Sequence, residues 1–344
     1  MSELLNKQDD KYSNRNKTLD AYKAILIILV VIRHALQYST SDEGGLLTNL
    51  IWAIQMPGFM LVSGYFCARK VLSYKDLLKS LKKSFIRYAL PFFSWFIVID
   101  VFICGAYFRN PILGVIHLIK NVDSGLWFIW VIFALSNIFN ICNFYFEKNT
   151  SVTKRMFSTI IVLTFSLGGL LCLAFLTNIN FAGIKYILYY SVFFGAGWVI
   201  KKAKEHFSAR FSVTCFDVLF SVSLLIFLLI IFNYDLYHCD DDIISIGLRC
   251  ISGFSGNFCL FYTIKKYEYF DNCYLTMLGR YTLEIYVTHM HVNGLFRLTS
   301  GYSFWTYQGF INFTVSLLCT SFFTFVIIIV LKNNRFTNKL FYGK

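Results

Sequence analysis

Residues 20–37 read DAYKAILIILVVIRHALQ. Most of this stretch is aliphatic and of a length to cross a bilayer, which takes about 20 mainly apolar residues. It nevertheless carries Asp20 and Lys23 at one end and Arg33 and His34 near the other. At about 100° per residue, positions 23 and 34 return to within about 20° of one direction and lie about 16 Å apart along the axis. Arg33 points about 100° away, free to snorkel or to pair elsewhere. Two readings follow: a snorkelling lysine with a helix-packing histidine, or a cation and an imidazole on one functional face.

The rest of the chain sets that helix in a membrane. Of 344 residues, 57% are hydrophobic and 15% charged, with 38 Phe, 22 Tyr and only 3 Pro. A soluble domain carries about 25% charged residues. Ten predicted spans emerge, at 20–39, 48–67, 86–108, 126–146, 157–177, 184–200, 213–232, 243–264, 274–298 and 309–331. The connections alternate in charge. ARKVLSYKDLLKSLKKSFIR carries seven Lys and Arg, whereas STSDEGGL, TNINFAG and NYDLYHCDDD carry none. The alternation stays in phase over all ten spans, so the positive-inside rule puts both termini in the cytoplasm. The expected organisation is a cytoplasmic tail at 1–19, a ten-span all-α membrane domain at 20–331 and a second tail at 332–344. The basic connection after residue 67 has the pattern of an amphipathic helix on the inner leaflet, with Leu72, Leu77, Leu78 and Leu81 toward lipid.

The net charge of +13 is thus a topology signal and argues against a nucleic-acid partner. No signal-peptide cleavage site follows the first apolar run, which reads as an uncleaved span. The ten Cys are scattered without CxxC and read as reduced, small apolar residues. His289 and His291 stand two apart, on different helix faces, so no metal site is expected.

Charges inside spans are functional candidates by default, although many only lock helices together. Ser63, Gly64 and Tyr65 close the second span, where small residues also suit plain helix packing. Arg87 stands four residues before Pro91, and Asp100 in the third span calls for a partner such as Arg249 or Arg280. In LGRYTLEIYVTH, 278–289, Arg280 and Glu284 have the spacing of an ion pair.

Five segments in order resemble the acyltransferase-3 family of integral membrane O-acyltransferases: LDAYKAILIILVVIRHA, MPGFMLVSGYF, the basic run ending at Arg87 and Pro91, LWFIW, and LGRYTLEIYVTH. The resemblance spans nearly the whole chain. Two positions depart from it. Lys23 stands where the family usually has Arg, which keeps the charge but loses the bidentate fork. Ser84, beside Lys82 and Lys83, replaces a second Arg often found three residues before the one matching Arg87.

The resemblance implies transfer of an acyl group, usually acetyl, from cytoplasmic acyl-CoA to a sugar hydroxyl of a polysaccharide, O-antigen or lipid-linked oligosaccharide. It implies an inner-membrane enzyme of the stand-alone type, working with membrane lipid and either as a homo-oligomer or beside glycan-assembly proteins. His34 would be the general base, since an ordinary imidazole titrates near pH 6.5, with Tyr286 or His289 as donor to the oxyanion. Lys23, Lys82, Lys83 and Arg87 would hold the CoA phosphates, near Ser63, Gly64 and Tyr65. A secondary transporter or flippase for a lipid-linked saccharide is the alternative use of the same charges, although no inverted repeat is visible.

Overall fold

Helices account for all the regular structure among the described residues. In the computed structural model these are 16–43, 45–122, 125–149, 151–177, 181–206, 213–239, 242–267, 273–296 and 301–344. The predicted tail before residue 16, Arg210, Arg297 and the far end of the ninth predicted span lie outside them. Thirteen helices are described: α1 Lys17–Ser39, α2 Leu46–Cys67, α3 Tyr74–Ile103, α4 Pro111–Lys120, α5 Trp127–Lys148, α6 Val152–Thr177, α7 Ile184–His206, α8 Val213–Asn233, α9 Ile243–Lys266, α10 Cys273–Arg280, α11 Thr282–Leu295, α12 Tyr307–Asn333 and α13 Arg335–Tyr342. Among the described residues eight are long and apolar enough to cross a membrane: α2, α3, α5, α6, α7, α8, α9 and α12.

The other two predicted spans differ for physical reasons. α1, the opening stretch, is long enough but diluted by Asp20, Lys23, Arg33 and His34. It is flanked by α2, α9, α10, α11 and α12, and a helix so enclosed can carry polar groups that lipid would not tolerate. The predicted span at 274–298 is broken at Tyr281, whose backbone (φ −102°, ψ 12°) lies in the bridge region. Just before the break, Gly279 lies against the backbone carbonyl of Asp20, where a Cβ would collide. The break also undoes the expected Arg280–Glu284 pair. Glu284 is fully buried and instead meets Lys344 Nζ at 2.5 Å and Lys332 Nζ at 3.7 Å.

The basic connection does form a helix, over Tyr74–Ser84, and that helix runs on without a break into the span. Ser73 and Asp76 form a capping box that starts α3, which runs 30 residues, from the basic connection into the span. Leu77 is buried while Leu72 and Leu78 are exposed. Pro91 has no N–H for the carbonyl of Arg87. The ladder slips there, Leu90 N–H donating to Phe85 O, and Phe85–Ala89 becomes π-helical. Such one-turn bulges recur at functional sites. Arg249 does not serve Asp100: it donates to the carbonyls of Leu236 (3.2 Å) and Cys239 (2.7 Å) and lies over the Trp52 ring.

α2 and α7 cross at backbone distance. A Cβ on Gly64 would strike the carbonyl of Phe194, and one on Gly197 the carbonyl of Leu61. Small residues at both points permit this approach, which fixes the end of α2 that faces the candidate site.

Candidate active site

All five segments singled out in the sequence line one cavity of about 310 Å³. Lys23 reaches it from α1, Phe59, Ser63 and Phe66 from α2, Lys83 and Arg87 from α3, Phe128 and Asn140 from α5, and Thr282 and Tyr286 from α11. Arg69, just beyond α2, completes a set of four cations, and no carboxylate lines the cavity among the described residues. The lining thus combines positive charge with apolar side chains. Arg69 Nη2 donates to Asn140 Oδ1 at 3.2 Å, which aims the guanidinium. Arg87 sits in the π-helical turn made by Pro91. Lys23 is the exception among the four, because Asp20 Oδ1 lies 2.7 Å from its ammonium and both side chains are largely buried.

Behind the cavity stands a pair of imidazoles. Tyr286, on the cavity wall, has its ring 5.8 Å from that of His289, which is 5.4 Å from that of His34. The helix α11 places Tyr286 and His289 three residues apart, on one face. His289 is fully buried; its Nδ1–H donates to Ile285 O at 2.9 Å, and Nε2 has no hydrogen-bond partner. His34 Nδ1 lies 3.2 Å from Gln37 Oε1 and 3.3 Å from Arg33 Nη1. Arg33 also donates to Gln37 Oε1. It does not snorkel: it is buried, with Nη2 3.9 Å from Glu43 and its guanidinium over the Tyr237 ring.

The remaining predicted residues fall elsewhere. Lys82 is exposed and does not line the cavity. Gly64 serves the α2–α7 crossing. Tyr65 faces α7, with the Lys201 ammonium 5.4 Å from its ring. Trp127 stacks on Tyr186 and Tyr190 of α7. His291 turns away from His289 and stacks on Trp95 at 4.9 Å, and no group of three metal-ligating side chains occurs among the described residues. Sequence reasoning missed Arg69 and Asn140. Arg69 looked like one more topology charge, and Asn140, in the middle of an apolar helix, was the signal that could have found it.

A family model described as an acyltransferase domain matches residues 16–332. Two curated relatives are the nodulation protein NolL of Sinorhizobium fredii, 29% identical over 129 residues, and that of Mesorhizobium japonicum, 30% identical over 128. The alignments cover 36% and 35% of this chain, and 35% and 34% of those proteins. The chain thus spans about a third of the length of the curated relatives it matches. No solved structure matches. With the family's domain matched over residues 16–332, and with eight helices long and apolar enough to cross a membrane among the described residues, the chain belongs to the acyltransferase-3 family of membrane acyltransferases.

Proposed function

We propose that this protein moves an acyl group, most simply acetyl, from cytoplasmic acyl-CoA to a sugar hydroxyl of a surface or lipid-linked glycan, in the cytoplasmic membrane with both termini inside. The observation that carries the reading is the four-cation cavity lined by all five motif segments and walled by Tyr286, behind which the rings of His289 and His34 follow. Its volume of about 310 Å³ is at the small end for ligand pockets, which run from about 300 to 1,000 Å³. The phosphates would stay at the basic mouth, on Arg69, Lys83 and Arg87, and the slender pantetheine arm would enter. Charge-assisted hydrogen bonds of this kind are roughly twice as strong as neutral ones.

The chemistry needs a base, because a sugar hydroxyl is a poor nucleophile at neutral pH. With Nδ1–H of His34 donating to Gln37, its Nε2 would carry the lone pair that accepts the hydroxyl proton. The alkoxide oxygen bonds to the thioester carbonyl carbon. The tetrahedral oxyanion then collapses, the C–S bond breaks, and the CoA thiolate leaves and recovers a proton from the imidazolium. The Tyr286 hydroxyl is the donor for the oxyanion. His289, with Nδ1–H committed to Ile285, offers a second lone pair beside His34.

The test is a gene deletion followed by mass spectrometry and NMR of the cell's glycans, together with purified protein incubated with acetyl-CoA and those glycans. An ester lost on deletion and restored by the intact chain, but not by His34→Ala, is expected. Normal transfer by folded His34→Ala protein would overturn the assignment.

A further inference from the structure

The two ends of α1 lie near two different cavities. One end carries Lys23 into the basic cavity. Beyond the other, residues 42–49 and 231–238 enclose a second cavity of about 320 Å³. Its lining has the opposite character. Asp42, Glu43 and Asp235 line it with Tyr234, Tyr237 and His238, and among the described residues no Lys or Arg does.

We propose that this second cavity is the acceptor subsite, and that it takes a neutral or amino sugar and refuses an anionic one. This rests on the acyltransferase reading above. Two observations point to a saccharide, and a third ties the cavity to the imidazoles. Aromatic rings and carboxylates together suit a sugar, whose C–H faces pack on rings and whose hydroxyls donate to carboxylate oxygens. Asp235 and His238 are mostly exposed and preset: Asp235 accepts from the backbone N–H of Tyr237 (3.0 Å) and of His238 (3.1 Å) and from His238 Nδ1 (2.8 Å). A lining whose charged side chains are carboxylates disfavours carboxylate or phosphate sugars.

The third observation connects the cavity to the imidazoles. Arg33, only 7% exposed, stands behind the cavity wall, with Nη2 3.9 Å from Glu43 and its guanidinium carbon 4.8 Å from the centre of the Tyr237 ring. Its Nη1 lies 3.3 Å from His34 Nδ1, and its buried Nε has no hydrogen-bond partner. A sugar seated on Glu43 and Tyr237 would therefore contact the two residues that hold Arg33, the immediate neighbour of His34. Acyl-CoA and acceptor would approach the imidazole pair from opposite ends of α1, and the acceptor is recognised by residues that no part of the basic cavity shares.

The experiment uses the deletion strain complemented with the full chain, with O-acyl ester measured by NMR of the glycans and acetyl-CoA affinity measured on the purified variants. Tyr237→Ala and the double variant Asp235→Ala/His238→Ala are expected to lower ester content by about tenfold or more, the loss of roughly one good contact. Acetyl-CoA affinity should stay within about twofold, since neither change touches the donor cavity. Tyr237→Phe, which keeps the ring, should restore most of the ester. The ester lost on deletion should sit on a neutral or amino sugar. Normal ester content in both variants would overturn the proposal, as would a parallel fall in acetyl-CoA affinity or an ester found on a uronic acid. A deletion that removes no ester would instead refute the acyltransferase reading on which the site depends.

Discussion

Lys344→Met tests how the last helix supports the site. Glu284 is 0% exposed, and the ammonium of Lys344, itself 35% exposed, lies 2.5 Å from its carboxylate. Lys332 stands second, at 3.7 Å. Around this pair, Trp95 Nε1 donates to Phe341 O at 2.9 Å, and the Tyr342 hydroxyl and Thr288 Oγ1 are 3.1 Å apart. Gly343, at φ +65°, packs on the backbone of Ile86 and Arg87. Removing one partner of a fully buried pair costs about 3–5 kcal/mol, and an exposed pair contributes about 0–1 kcal/mol. With one partner buried, the other a third exposed and a second lysine in reserve, the cost should be about 2 kcal/mol. For a chain of this size that is a fall of roughly 4 °C in the midpoint of thermal unfolding. The midpoint should be followed in detergent at one fixed scan rate, because such unfolding is often irreversible. The same change in a Glu284→Gln background should cost under about 0.5 kcal/mol, as a double-mutant cycle requires of a specific pair. Because α11 carries Thr282 and Tyr286 to the cavity, KM for acetyl-CoA should also rise. An equal loss in both backgrounds would show that Lys344 acts by packing alone and would refute the pairing.

Other consequences are more direct. Arg87→Met and Lys83→Met should each raise KM for acetyl-CoA by about 5- to 20-fold, since a hydrogen bond to a charged group contributes about 1.5–3 kcal/mol and the mouth is open to solvent. The same variants should flatten the dependence of KM on salt, read by steady-state kinetics. His34→Ala should lower transfer by at least about 100-fold while eluting from size exclusion like the unmodified protein. Gly64→Ala forces a Cβ into the Phe194 carbonyl and should cost about 1–3 kcal/mol or more, visible as lost monodisperse yield. Gly168→Ala, with open space around its Cβ, should leave that yield unchanged.

Much of the fold was legible because bilayer thickness imposes a period on the sequence. Spans of about 20 apolar residues recur, and eight helices of the structure meet that description among the described residues. The two that do not are those whose surroundings, not their composition, let them sit in the bundle. Nothing in DAYKAILIILVVIRHALQ says that five helices will enclose it. Nothing local to LGRYTLEIYVTH says that the helix will stop at Tyr281, because the cause is partly the contact of Gly279 with Asp20, far away in sequence. The Arg280–Glu284 expectation failed for that reason: i,i+4 geometry holds only within one helix. The cavity was readable as a set of segments. Its cations were readable only in part, since a lysine on the lining, such as Lys83, and its exposed neighbour Lys82 differ by one step of rotation that sequence does not anchor.

The helical arithmetic on α1 was sound, and the structure gives it a sharper meaning. Lys23 and His34 were expected on one face, with Arg33 turned about 100° away. Lys23 does point into the basic cavity, and His34 toward His289, whereas Arg33 turns toward Glu43 and Tyr237. A single helix at the centre of the bundle thus serves three environments with three polar residues. Among the four cations that line the basic cavity Lys23 contributes least net charge, because the carboxylate of Asp20 accompanies it at 2.7 Å. The positive field that would draw an anionic donor then falls on Arg69, Lys83 and Arg87, which share no such neighbour on the cavity lining. That division also accounts for the tolerance of lysine at position 23. A cation paired to a buried carboxylate three residues away on its own helix makes one short charge contact, which the compact ammonium of lysine supplies without the bidentate fork of arginine. The cation on α1 is therefore best understood as part of the wall that holds the cavity open, with recognition of the donor left to the mouth.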